Sequence, residues 1–200
     1  MKNFKRLLYS AWSCFYLSPK KRTEFFRKKH VFGHIGKKCS IQDRMIPLYS
    51  NLIYLHNNVR MASNVVFVTH DIIHMMLNNR ECDDSGYKSY IERVGCIEVM
   101  DNVFIGTGVH ILYGVRIGTN VIIGSGSLVN KDVPDNCVYA GVPARYICSF
   151  DDYMKKAKAQ SEQFKKQYGI NRVGGVVSDQ LAAEIYADFC KKREKQMDKE

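Results

Sequence analysis

Residues 99–129 read VMDNVF-IGTGVH-ILYGVR-IGTNVI-IGSGSL-V, so that five successive groups of six fall into line. The first residue of every group is Ile or Val, the second is often Gly, and the fifth is Val or Ser. Apolar residues at positions one and five fit neither the period of a helix nor an uninterrupted alternating strand. They fit a short strand followed by a corner, repeated in stacked coils whose strands lie about 4.8 Å apart.

The same period can be followed toward the N-terminus. It begins at Ile35, loses phase by two residues around 47–54, where we expect a bulge or a kinked corner, and recovers from Leu55. Between residues 73 and 92 the pattern fails and the sequence turns polar. We expect this stretch to be a loop inserted in one coil, because such loops commonly carry function.

Helical patterns flank the repeats. Apolar residues recur at helical spacing from Phe4 to Phe15, and Pro19 starts a second short helix. Residues 151–168 and a segment opening at Asp179 predict two more helices. The sequence therefore predicts an N-terminal amphipathic helical arm (1–33), a repeat domain (34–148) with the inserted loop 73–92, and a C-terminal helical tail (149–200).

The net charge of +10 is concentrated in the arm. Residues 1–40 hold eleven Lys and Arg and one acidic residue, whereas residues 41–149 hold eight basic and ten acidic residues. The repeat domain is therefore not a nucleic-acid surface. A basic amphipathic arm can pack on the solenoid and cap its open end, which we favour, or contact an anionic membrane surface through residues 1–30.

The sequence contains no apolar run near the roughly 18 residues that span a bilayer and no signal-peptide pattern. The seven cysteines are odd in number and form no C-x-x-C pair, which favours buried thiols over disulfides. We expect a cytoplasmic protein, with peripheral contact at the inner face of the membrane as the alternative.

Four stretches between Asn58 and Arg145 carry a family resemblance. They are VTHD (68–71), DNVFIG (101–106), IGSGSLVNKDVP (123–134) and GVPAR (141–145). Together they resemble the hexapeptide-repeat acyltransferases that use acetyl-CoA, most of all the galactoside/maltose, xenobiotic and polysaccharide O-acetyltransferases. The resemblance implies a mainly β fold, a left-handed parallel β-helix with about three hexads per triangular coil, here with N- and C-terminal helices. It also implies a homotrimer with the coenzyme groove between adjacent subunits.

The resemblance also implies roles for single residues. His70 takes the place of the general base, with Asp71 and His74 as residues that orient it or the acceptor. Gln42 and Ser50 fall near the family's acceptor contacts. The coenzyme contacts fall on Thr107, Ser125, Asn130, Lys131 and Arg145, although Asn130 stands where Thr is common and Cys148 where a second basic residue often lies. No cysteine is placed beside His70, which favours direct transfer over an acetyl-enzyme.

The expected activity is transfer of an acetyl group from acetyl-CoA to a carbohydrate hydroxyl, for example of a polysaccharide or surface-glycan precursor, with no metal. N-acetylation of an amino sugar and O-acetylation of a xenobiotic of the streptogramin type are the alternatives within this family. A zinc enzyme like carbonic anhydrase would need three imidazoles on one ion, for which His70, His74 and His110 are the candidates. A solenoid that only binds a ligand is the remaining alternative.

Overall fold

The computed structural model describes residues 3–80, 90–170 and 177–197. The chain divides into two compact units, Met1–Tyr153 and Met154–Glu200. No helix in the described ranges is long and apolar enough to span a membrane.

Short strands make up most of the first unit. They are β1 (His34–Ile35), β2 (Ser40–Ile41), β3 (Ile53–Leu55), β4 (Arg60–Met61), β5 (Val66–Val68), β6 (His70–Asp71), β7 (Arg93–Val94), β8 (Ile97–Val99), β9 (Val103–Ile105), β10 (His110–Leu112), β11 (Val115–Ile117), β12 (Val121–Ile123), β13 (Leu128–Val129), β14 (Cys137–Ala140) and β15 (Arg145–Ser149). The helices are α1 (Asn3–Ser13), α2 (Pro19–Lys28), α3 (Ile73–Arg80), α4 (Phe150–Tyr168) and α5 (Asp179–Met197).

The strands of the repeat assemble into three sheets that the chain visits in turn. The sheets have the orders β1-β3-β8-β11, β2-β4-β9-β12-β14-β15 and β5-β10-β13, and all pairs except β14–β15 are parallel. Val103 pairs with Val121, a separation of three six-residue repeats. Three hexads therefore make one turn of a three-sided coil, as the family resemblance implies.

The first and fifth positions of each hexad fill the interior of the coil. Ile105, Val109, Ile111 and Ile117 have no exposed surface, and the small Ser127 takes the same place at the last corner. The second position is tight for a different reason. A Cβ on Gly106 would lie 2.6 Å from the backbone nitrogen of Ser125 in the next coil, so this corner requires glycine to stack.

A ladder of asparagines runs along one edge of the coil. Asn58, Asn102, Asn120 and Asn136 all have positive φ, between 55° and 58°. Each side-chain amide donates to the Oδ1 of the next, at 3.0, 3.0 and 2.8 Å. Asparagine tolerates the left-handed conformation better than other residues with a Cβ, so the ladder fixes the corner and links successive coils.

The two-residue loss of phase is also present. Ile35 pairs with Leu55, two residues more than three hexads away. A 3-10 turn, Ser50–Leu52, absorbs the extra residues, and Tyr49 before it has φ 52°. The predicted irregular corner is therefore confirmed.

The insertion differs from the prediction. We expected residues 73–92 to be a loop, but the segment begins with helix α3, and residues 81–89 lie outside the described part of the chain. Met75, Met76 and Leu77 have high helix propensity and favour this helix. Strands β6 and β7 pair antiparallel and close the insertion at its base.

Helix α2 caps the N-terminal end of the coil, as we favoured. Phe25 and Phe26 join the core. The hydroxyl of Thr23 accepts from the Ile41 N–H at 2.9 Å, and Arg27 donates to the carbonyls of Ile35 and Gly36. These bonds satisfy the free edges of β1 and β2, which would otherwise be open to pairing with another chain.

Helix α1 packs against the rest of the first unit mainly through its polar side. Ser10 and Ser13 are buried, whereas Phe4 is 77% and Phe15 84% exposed. Tyr9 and Trp12 contact the Phe25 ring, at centroid distances of 5.8 and 6.5 Å. Most of the apolar stripe that predicts the helix is nevertheless not the surface that docks it.

Strand β15 runs antiparallel to β14 and ends the coil. In the second unit, Gly169 with φ 64° ends α4, and the Ser178 hydroxyl accepts from the Leu181 N–H at the start of α5. Both ends agree with the sequence prediction. The cysteines within the described residues are all free.

Candidate active site

His70 lies on β6, at the base of the insertion, and is partly buried. It pairs with Val94 across the short antiparallel ladder. Its Nδ1 is buried and has no hydrogen-bond partner among the described residues, and the same holds for Nδ1 of His74. Buried imidazole nitrogens without partners are unusual and mark a position where another group is needed.

Tyr49 fixes one side of the His70 ring. The two rings meet edge to face, with centroids 5.1 Å apart. The Tyr49 hydroxyl donates to Oε2 of Glu92 at 3.1 Å, and this hydrogen bond raises the pKa of the phenol. A bulky residue with positive φ is uncommon and concentrates at functional sites.

Asp71, the residue after His70, is hydrogen-bonded to Tyr113. The Tyr113 hydroxyl donates to Asp71 Oδ2 at 2.7 Å, and the Ile73 N–H donates to Oδ1 at 3.2 Å. The bond from Tyr113 holds the pKa of Asp71 below its usual range, with smaller contributions from the Ile73 N–H, Arg93 and His74. Asp71 is therefore ionised at neutral pH and is oriented by Tyr113.

Asp71, His74, Glu92 and Tyr113 line a cavity of about 740 Å³, whereas His70 and Tyr49 are not among its lining residues. Its walls are mostly apolar, with a few charged and aromatic groups. They are formed by Asp71, Ile73, His74, Leu77, Tyr90, Ile91, Glu92, Arg93, Val94 and Tyr113. A cavity of this size and composition can hold a small organic molecule and orient its polar groups.

A second cavity, of about 460 Å³, lies where the coil ends. Asn130, Lys131 and Arg145 line it together with Tyr139 and Tyr146. Asp132 also lines the cavity, so its two cations exceed its carboxylates by one. This excess of positive charge and the two aromatic rings suit a phosphorylated ligand with a planar group.

Thr107 and Ser125 are exposed at stacked corners and do not line this cavity. The Gly126 N–H donates to the Thr107 carbonyl at 2.8 Å, which keeps the two corners in register. Three of the five predicted coenzyme contacts are thus brought together, and two lie elsewhere on the coil.

The two remaining acceptor candidates, Ser50 and Gln42, make structural hydrogen bonds instead. Ser50 is 2% exposed, and its hydroxyl donates to the Val31 carbonyl at 2.7 Å. The backbone carbonyl of Gln42 accepts from Arg22 at 2.6 Å, while its side chain is exposed. Ser50 is therefore part of the packing under the 3-10 turn in this conformation.

Sequence reasoning missed Tyr49, Glu92, Arg93 and Tyr113. The sequence pattern could have indicated one of them. Tyr113 stands at the third hexad position, where the other four groups have Asp, Thr, Thr and Ser. The described residues form no cluster of three or more His, Cys, Asp or Glu that could hold a metal ion.

Comparison with known proteins points to one family. Residues 97–131 match the family model described as bacterial transferase hexapeptide (six repeats). The chain is 31% identical over 166 residues to a galactoside O-acetyltransferase of Lactococcus lactis, covering 74% of this chain and 72% of that protein. It is 36% identical over 135 residues to a galactoside O-acetyltransferase of Escherichia coli, covering 64% and 62%.

The fold has a counterpart among solved structures. A hexapeptide-repeat-containing acetyltransferase from Vibrio cholerae superposes with a TM-score of 0.50 at 22% identity, covering 73% of this chain and 89% of that one. At that identity the likeness concerns the fold alone.

Proposed function

Since the chain belongs to the hexapeptide-repeat acetyltransferases, we propose that it transfers the acetyl group of acetyl-CoA to a hydroxyl of a carbohydrate, with His70 as the general base. The observation that carries the proposal is the cavity at the end of the coil. It gathers Asn130 and Lys131 from one segment and Arg145 from another, the residues expected to contact coenzyme A.

Coenzyme A carries phosphates at one end and a thiol at the other. Lys131 and Arg145 supply positive charge for the phosphates, and the exposed corners at Thr107 and Ser125 offer backbone groups to the pantetheine arm. These corners are stacked along one edge, so an extended arm can follow them toward the reacting hydroxyl.

The reaction needs a base because the thioester is already activated and a neutral hydroxyl is a poor nucleophile. Imidazole changes its charge near neutral pH and suits this task. His70 takes the hydroxyl proton while the oxygen bonds to the acetyl carbonyl carbon. As the carbon–sulfur bond breaks, His70 returns the proton to the coenzyme A thiolate.

The 740 Å³ cavity is the proposed acceptor site, because Asp71 and Val94, the chain neighbour and the strand partner of His70, both line it. Ionised Asp71 accepts a hydrogen bond from a sugar hydroxyl, and His74 supplies a second polar contact. Tyr90 and Tyr113 offer ring surface to the apolar face of a sugar. A glycan precursor fits these groups, and Gln42 and Ser50 have no part in the proposed contacts.

We further propose that the coil is left-handed, that residues 34–148 form the catalytic domain, and that the enzyme is a cytoplasmic homotrimer. The two described cavities share no lining residue. A trimer explains this if the coenzyme bound in the 460 Å³ cavity of one subunit reaches the acceptor bound in the 740 Å³ cavity of a neighbouring subunit. Closed cyclic symmetry is the usual outcome of such association. Light scattering at micromolar concentration tests the trimer, and a monomeric mass contradicts it.

The function is tested by binding and turnover. Calorimetric titration with coenzyme A should show that Lys131→Met and Arg145→Met each weaken binding roughly tenfold, as loss of one charged contact predicts. Lys156→Met, which removes an equally exposed cation from α4, should bind coenzyme A like the wild type. Thiol release from acetyl-CoA with a panel of glycosides then identifies the acceptor, and absence of both binding and release contradicts the proposal.

A further inference from the structure

Helix α1 exposes a continuous apolar face. Phe4, Leu8 and Ala11 recur at intervals of three and four residues and therefore lie on one side of the helix, and Phe15 follows in the turn after its end. Around them, Leu7 and Trp12 are about half exposed, and Leu17, just beyond the helix, is 85% exposed. A face of this kind on a protein surface marks an interaction site.

The orientation of α1 is fixed by its opposite side. The Ser13 hydroxyl donates to the Arg44 carbonyl at 2.7 Å, the Ser10 hydroxyl accepts from the Ile46 N–H at 3.1 Å, and Arg6 donates to the Ile46 carbonyl at 3.0 Å. These bonds satisfy buried backbone groups, so rotating the helix to hide its apolar side would leave them unpaired. The apolar face is therefore held outward.

The segment of the chain that carries this face is strongly positive. Residues 1–40 contain eleven Lys and Arg against one acidic residue. Lys5 follows Phe4 on α1, and Lys20 and Lys21 follow Leu17; all three are exposed. Basic groups bordering an apolar face with Trp and Phe are typical of helices that lie in the headgroup region of an anionic bilayer.

We propose that α1 docks the enzyme on an anionic lipid surface, with Phe4, Leu8 and Phe15 inserted and the neighbouring lysines against the headgroups. A second copy of the chain is the other conceivable occupant. Lysine is depleted at the centres of protein interfaces, and two arms with the same charge would repel, so the charge favours lipid. The inference is independent of the acetyl transfer, since none of the proposed site residues lies on α1.

Sedimentation with lipid vesicles tests the proposal. The full chain should co-sediment with vesicles rich in phosphatidylglycerol, far less with phosphatidylcholine alone, and less as salt is raised. The double variant Phe4→Glu, Phe15→Glu should bind at least about tenfold more weakly. Both side chains are more than three-quarters exposed, so the variant keeps the fold. A control with Tyr186→Glu and Met197→Glu makes the same charge change at exposed positions of α5 and should bind like the wild type.

Three results overturn the proposal. One is a wild-type protein that stays in the supernatant with phosphatidylglycerol vesicles. Another is binding that the Phe4→Glu, Phe15→Glu variant retains in full. The last is a wild type that does not bind vesicles together with a Phe4→Glu, Phe15→Glu variant whose mass by light scattering is lower than that of the wild type. That result would identify a second copy of the chain as the occupant of the apolar face.

Discussion

Arg22 offers a sharp test of how the coil is capped, because its guanidinium is buried without a carboxylate partner within the described residues. The side chain is 1% exposed and donates to four backbone carbonyls. They belong to Ser13 at 3.3 Å, Tyr16 at 2.7 Å, Ile41 at 3.2 Å and Gln42 at 2.6 Å. Burial lowers the pKa of this guanidinium, with Arg44 adding to the effect. One residue thus joins α1, the turn after it and the first coil.

Replacing Arg22 by Met keeps most of the side-chain volume and removes every donor. A hydrogen bond to a charged group contributes about 1.5–3 kcal/mol, and the four are not additive because they share one guanidinium. The Ser13 carbonyl keeps its hydrogen bond from the Tyr16 N–H, but a buried carbonyl that loses its donor adds a desolvation cost to the loss. We expect the cap to lose roughly 3–5 kcal/mol, the range found when one partner of a buried charged network is removed.

The assay uses Trp12, the single tryptophan of the chain, which lies on α1. Its fluorescence during urea unfolding should show an early transition in Arg22→Met, while circular dichroism of the strands shifts less. Lys21→Met removes the same charge from the exposed neighbouring position and should behave like the wild type. If the Trp12 transition of Arg22→Met moves no further than that of Lys21→Met, the capping role assigned to Arg22 is wrong.

Three further outcomes are expected. Asn120→Ala should lower the free energy of unfolding by roughly 1–2 kcal/mol, because alanine tolerates positive φ poorly and cannot join the ladder, and Asn120→Gly should lose less. Glu98→Gln should be less stable by about 0.5–1 kcal/mol at neutral pH. The pKa of Glu98 is held below its usual range chiefly by the bond from His56, so this difference should vanish as pH falls through the folded pKa. Tyr49→Phe should lower kcat severalfold and leave the KM for acetyl-CoA unchanged, because the freed ring no longer holds His70.

A different result would contradict each of these three predictions. Equal losses for the Ala and Gly variants in chemical denaturation would remove the conformational argument for the ladder. Parallel stability curves of Glu98→Gln and wild type from neutral to acid pH would contradict the linkage to the carboxylate. Tyr54→Phe, which changes a partly exposed tyrosine on β3, is the control for Tyr49→Phe, and equal turnover of the two variants would mean that the Tyr49 hydroxyl does not position His70.

The repeat could be predicted closely because one rule acts at every coil. Ile117 and Val121 are buried because they take the first and fifth hexad positions, as Ile105 and Val109 do. The two-residue shift before Leu55 could be predicted because the six-residue period is lost there. Helix α3 breaks the rule and has little pattern of its own, since Asn78 is its one buried residue and its apolar side chains are largely exposed. Nothing in its spacing distinguishes such a segment from a loop.

The site could be predicted less far than the coil. His70 is proposed from the resemblance alone, and the contact between Tyr49 and His70 joins residues on different coils, which no local spacing reports. Helix α1 shows the same limit. Its period predicts a helix, whereas the side that docks is determined by the backbone groups of Arg44 and Ile46.

The turnover of His70→Ala tests the proposed chemistry most directly. Loss of a general base predicts a fall in kcat of roughly 10²- to 10⁴-fold, with coenzyme A binding almost unchanged, because His70 lies outside the cavity of Lys131 and Arg145. His34→Ala, at an exposed histidine on β1, should retain full activity. If His70→Ala keeps more than about a tenth of wild-type turnover, or if acetylated protein accumulates when the acceptor is withheld, direct transfer with His70 as the base is contradicted.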